Sequence, residues 1–84
     1  MVTLEQAIKN AYTWGKTKGH IASLAYTGPL MECIQAEGKL DVNGNYYCDS
    51  VKSVALYAMC NLSGWKGPEA KESKAAIKAA FGMK

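Results

Sequence analysis

Chemistry in a small chain needs a nucleophile beside a base, a pair of carboxylates, or a set of metal ligands. Few residues here qualify. There is one histidine, His20, and there are three cysteines, Cys33, Cys48 and Cys60. A thiolate nucleophile would need the imidazole beside it, but no local signature couples His20 to any of the three. The same four residues are of the right type and number for zinc. Their spacings of 13, 15 and 12 residues, however, contain no short chelate of the C-x-x-C kind that structural zinc sites use. The seven acids are scattered at positions that suit helix ends and wet faces rather than paired acid-base work. The eight glycines are dispersed as helix stops, helix starts and one turn, so no loop is built to cradle a phosphate. The expectation is therefore no enzyme, no catalytic residue, no metal and no cofactor. The cysteines are expected to be small buried hydrophobes, with Cys60 the slowest to react.

The cations carry a second message. All ten are lysine, in a chain of net charge +3. Arginine, whose planar fork reads phosphate and guanine two bonds at a time, is absent, and lysine offers only a mobile point charge. Lys71, Lys74 and Lys78 fall at helical spacing and are the candidate phosphate contacts. Glu69 and Glu72 precede them, though, which is the order a helix macrodipole favours on any solvated face. No apolar run reaches the length of a membrane span, and the first ten residues, MVTLEQAIKN, lack the apolar stretch of a signal peptide. With an odd number of cysteines, this predicts free thiols in a reducing, cytoplasmic setting.

The elements that must position these residues follow from periodicity. With 84 residues, 49% of them hydrophobic, there is room for one core, so residues 1–84 are expected to form a single compact domain. Thr3 and Gln6 resemble a capping box ahead of Leu4, Ala7, Ile8 and Ala11, which predicts a helix over 4–17 that Gly19 ends. Residues 20–26 are a short helix or a continuation of the first. Thr27-Gly28-Pro29 then reads as a break, with proline opening a helix through Leu30, Met31, Cys33 and Ile34 up to Gly38. Asn43-Gly44 suits a type I′ turn and predicts a hairpin pairing 39–42 with 45–48. Asp49 or Ser50 caps a helix carrying Val51, Val54, Ala55, Ala58, Met59 and Leu62, closed at Gly64. Gly67-Pro68 opens the last helix, with Ser73, Ala76, Ile77, Ala80 and Phe81 inward. The predicted fold class is mainly α, a small single-domain bundle of four to five helices with one short β-hairpin.

Two stretches resemble known motifs. The run from Asp41 to Asp49 is similar to an EF-hand or dockerin calcium loop, with oxygen donors at Asp41, Asn43, Asn45 and Asp49. It departs where Tyr46 replaces the turn glycine and Lys52 the bidentate acid. The run from Ile21 to Cys48, a short helix, a break, a second helix and a hairpin, is similar to the helix-turn-helix and wing of winged-helix DNA-binding domains. That resemblance implies a reading helix at 30–37, which offers Glu32, Gln35 and Glu37 and no cation to the groove. Weak duplex binding without sequence preference is the expectation.

The aromatic residues point elsewhere. Tyr12, Trp14, Tyr46, Tyr47 and Trp65 lie off the strictest apolar stripes, at helix ends, in the hairpin and in a loop. Such rings either close the edges of a small core or anchor a partner, because they bring large area at low entropy cost. Trp14, Tyr46, Tyr47 and Trp65 are the candidate contacts for a protein partner. The chain reads as a non-enzymatic regulator or inhibitor that binds a macromolecule, the kind of small protein that phages and mobile elements encode. One alternative is the winged-helix nucleic-acid binder; another is an oligomer that binds a small ligand or nucleotide between subunits.

Overall fold

The computed structural model describes residues 2–83. Four helices, α1 (Leu4–Lys18), α2 (Ile21–Glu37), α3 (Val51–Cys60) and α4 (Pro68–Phe81), make up most of the fold, and a two-stranded hairpin, β1 (Asn45–Tyr46) and β2 (Asp49–Ser50), lies between α2 and α3 in the chain. The Cα radius of gyration is 11.4 Å.

The first helix begins as its cap dictates. Thr3 Oγ1 accepts from the Gln6 amide at 3.1 Å, and the helix ends on Gly19 in the left-handed region at φ 64. Its buried stripe, Ala7, Ile8, Ala11 and Gly15, is made of small residues and one isoleucine, so both neighbouring helices can come close. α4 packs on one side and α2 on the other. The contact with α4 includes a polar link: Asn10 Nδ2 donates to Ser73 Oγ at 3.1 Å, and Gln6 Nε2 donates to Asn10 Oδ1 at 2.8 Å. Ser73 is fully buried, so this bond satisfies an oxygen that water cannot reach.

The break expected at Thr27-Gly28-Pro29 does not occur. α2 runs unbroken from Ile21 to Glu37 with Pro29 inside it, so there are four helices and no turn between two of them. Ser23, Thr27, Leu30 and Ile34 are spaced by four, three and four residues, and only an uninterrupted helix keeps them on one inward face. Pro29 removes one backbone donor; Ala25, whose carbonyl would have used it, is exposed. Thr27 Oγ1 turns inward and donates to the Ser23 carbonyl at 2.9 Å.

The hairpin exists but sits elsewhere. Asn45 pairs with Ser50 and Tyr46 with Asp49, so the turn is Tyr47-Cys48, and 39–42 is not a strand. Asp41 displaced the expected register. Its Oδ1 accepts from the Asn43 amide at 2.9 Å and its carbonyl accepts from the Gly44 amide at 3.0 Å, which places Asp at the first and Gly at the fourth position of an ordinary β-turn. Leu40 is drawn into the core, and Glu5 Oε2 on α1 accepts from its amide at 3.0 Å.

Ser50 caps α3 by accepting from the Ser53 amide, and α3 ends at Cys60, with Leu62 buried in the turn that follows. The main core joins Ile8, Leu30, Val51, Val54, Ile77 and Phe81; a second cluster joins Ala11, Leu62, Trp65 and Ala70. α3 and α4 barely meet, which leaves a groove between them.

Candidate docking surfaces

The hairpin is a fixed platform. Tyr46 OH donates to Glu32 Oε2 on α2 at 2.8 Å, and the Gly44 carbonyl accepts from the Val51 amide at 2.9 Å, so the strands are held to both flanking helices. Donating to Glu32 pushes the Tyr46 phenol up to about 12. At the turn, Tyr47 adopts φ 55 and is the single non-glycine residue with positive φ among those described. For a bulky side chain that backbone costs roughly 1–2 kcal/mol. The ring gains no compensating burial, being 87% exposed. It packs against the Tyr46 ring in a T-shaped arrangement, at a centroid distance of 4.7 Å and an angle of 80°.

Between α2 and the first strand of the hairpin lies a cavity of about 410 Å³ lined by Glu32, Cys33, Glu37, Asp41, Asn45 and Tyr46. Three carboxylates share its rim. Burial raises the Cys33 thiol, and Glu37 and Glu32 raise it further, so its thiolate is disfavoured.

The other two expected aromatic contacts have a different role. Trp65 is buried at 5% exposure and belongs to the second core cluster, so it closes the core rather than offering a surface. Trp14 is half-buried, stacked on Trp65 at 6.1 Å and tilted against His20 at 5.3 Å. The loop around Trp65 is pinned from α4 by Lys74 Nζ, which donates to the Trp65 carbonyl. His20 caps α2, its Nδ1 accepting from the Ser23 amide at 3.1 Å.

Of the lysine stripe, Lys71 and Lys78 are exposed and Lys74 is half-buried. Burial lowers the Lys74 ammonium, with Lys66 and Lys78 adding like charge. Lys74 and Lys78 line the α3–α4 groove with Lys52, Leu56, Met59, Cys60 and Met83. Sequence reasoning missed this groove, although Leu56 and Tyr57 fall off the α3 stripe of Val54, Ala55 and Ala58 and are 44% and 56% exposed. Ile21, at 80% exposure, was also missed.

Cys48 and Cys60 are exposed and Cys33 is half-buried, which corrects the expectation of three buried thiols. Cys60 faces the groove because α3 turns only its Val51, Val54, Ala55 and Ala58 side inward. His20 and the cysteines are not gathered, and no group of three or more His, Cys, Asp or Glu among the described residues could hold a metal ion. The turn that the winged-helix resemblance requires is replaced by continuous α2, and no described helix is long and apolar enough to cross a membrane. No family model, curated protein or solved structure matches the chain.

Proposed function

We propose that this chain is a small regulatory or inhibitory protein without enzymatic activity, acting by docking a protein partner on its hairpin tip. The carrying observation is Tyr47, a large ring held 87% exposed in a backbone conformation that disfavours it. Glycine adopts that backbone freely, so the tyrosine at this position is explained by what its ring meets rather than by the turn. Rigid aromatic residues at a protruding tip are the side chains that anchor protein interfaces. Tyr46 supports this role by fixing the ring from behind and tying the strand to Glu32. The carboxylates of Glu32, Glu37 and Asp41 on the neighbouring rim favour a partner surface with basic residues around the pocket that takes the ring. Three free cysteines, two of them exposed, suit a reducing compartment such as the cytoplasm.

Cys48, exposed beside Tyr47, supplies the test. A photo-crosslinker attached there, in a chain with Cys33 and Cys60 replaced by serine, should join a discrete host protein, and unlabelled chain should compete the product away. A product that resists competition, or the absence of any discrete product, would count against the hairpin as a docking tip.

A further inference from the structure

We propose that the groove between α3 and α4 is a second docking site, which takes an acidic amphipathic helix from a protein partner. This stands independently of the hairpin reading. Each wall is a single line along its helix: Lys52, Leu56 and Cys60 recur every four residues on α3, and Lys74 and Lys78 do so on α4, followed at the same step by its capping residue Gly82. Eight residues of helix span about 12 Å, so the walls run for roughly two turns. The groove is open to solvent and has a volume of about 590 Å³, lined in part by the half-buried Met59 and Met83. Methionine is flexible and polarizable and lines grooves that receive apolar helix faces.

The charge of the walls selects the partner. Lys52, Lys74 and Lys78 supply the cationic groups, and Lys66 stands close enough to Lys74 to add to the repulsion among them. A helix with leucine-like anchors on one face and carboxylates along its flanks would relieve that repulsion while covering Leu56, which is 44% exposed. Single-stranded nucleic acid fits less well, because no aromatic ring lines the groove to stack a base and no arginine exists in the chain. A bilayer fits less well too, since Leu56 is the one large apolar side chain among the lining residues that is exposed, and a membrane surface needs several to protrude.

Cys60 reports occupancy from inside the groove, and Cys48 on the hairpin serves as reference in the same molecule. The full chain is labelled with a maleimide in the presence of a synthetic helical peptide carrying leucines at i, i+3, i+4 and i+7 and glutamates on the flanks. At about ten times the peptide's Kd, mass action predicts about tenfold slower labelling of Cys60 with Cys48 unchanged. Lys52→Glu with Lys78→Glu should abolish the protection, Lys52→Gln with Lys78→Gln should weaken it, and Tyr47→Gly should leave it intact. Lys74 is left alone because it holds the Trp65 loop. The proposal is overturned if Cys60 labels at its free rate, if both thiols are protected alike, or if neither lysine pair matters. It is equally overturned if phosphatidylglycerol vesicles or an oligonucleotide protect Cys60 where the peptide does not, or if protection follows the protein's own concentration.

Discussion

Ser23 Oγ occupies the space that a side chain at position 15 would need: a Cβ on Gly15 would lie 2.7 Å from that oxygen and 3.1 Å from Leu24 Cδ2. This close approach joins α1 to α2 at the end of the bundle where His20 caps α2 and Trp14 stacks on Trp65. It makes a local rule and a tertiary contact disagree. Alanine in place of a helical glycine ordinarily gains up to about 1 kcal/mol. Overpacking here should cost about 1–3 kcal/mol. Gly15→Ala is therefore expected to lower the melting temperature, and adding Ser23→Ala should recover part of the loss in a double-mutant cycle. A more stable Gly15→Ala chain would show that the two helices are free to move apart.

The Tyr46–Glu32 bond gives the hairpin an alkaline limit. The phenol's pKa is raised from 10.0 to about 12, so the folded state holds this proton more tightly than the unfolded state does. The bond's contribution is complete below pH 10 and is lost as pH rises through about 12. Ultraviolet titration should find one tyrosine ionising near 12, and Glu32→Gln should return it toward its ordinary value. An unchanged titration in that variant would place the cause elsewhere.

The three thiols should react in a set order. Cys48 and Cys60 are exposed and should label rapidly with a disulfide reagent, whereas Cys33, half-buried between Glu32 and Glu37 with its thiol pushed up, should lag at neutral pH. Peptide mapping after timed quenching measures the order. Glu37→Gln should speed Cys33 alone.

Core and surface apolar residues should separate in thermal melts. Ile8, Leu30 and Ile77 are at most 2% exposed, and alanine at any of them should cost about 2–5 kcal/mol. Trp65→Ala should be as severe, at about 3–5 kcal/mol, because the ring is a core closure. Leu56→Ala and Tyr57→Ala should stay within about 0.5–1 kcal/mol of the parent chain. A mild Trp65→Ala would restore Trp65 to the candidate surface.

Helix ends and the inward faces were legible wherever a local cap and a periodic stripe agreed. Thr3 and Gly19 bound α1, Ser50 starts α3, and Pro68 starts α4 as their types demand. The sequence misled where a strong local signal met a stronger long-range one. Pro29 reads as a boundary, yet the Ser23, Thr27, Leu30 and Ile34 spacing runs through it, and burial of that face outweighs one missing backbone bond. Asn43-Gly44 reads as a hairpin centre, but the Asp41 carboxylate takes the Asn43 amide and commits the segment to another turn. Trp65 looked like a loop ring because nothing local shows that Leu62, Ala70 and Ala11 converge on it. The groove was illegible for the same reason, since its two walls come from helices that pack on different neighbours, α3 on α2 and α4 on α1.

The central claim is that Tyr47 is present for a partner and not for the fold. Tyr47→Gly removes the ring and relieves the positive φ, two effects on stability that nearly cancel against glycine's added chain entropy. The decisive measurement pairs a thermal melt of this variant with its Kd for the partner crosslinked through Cys48. The account predicts a melting temperature within a few degrees of the parent and affinity reduced by about 2 kcal/mol or more, roughly thirtyfold. Unchanged affinity, or a chain that Tyr47→Gly unfolds, would contradict it.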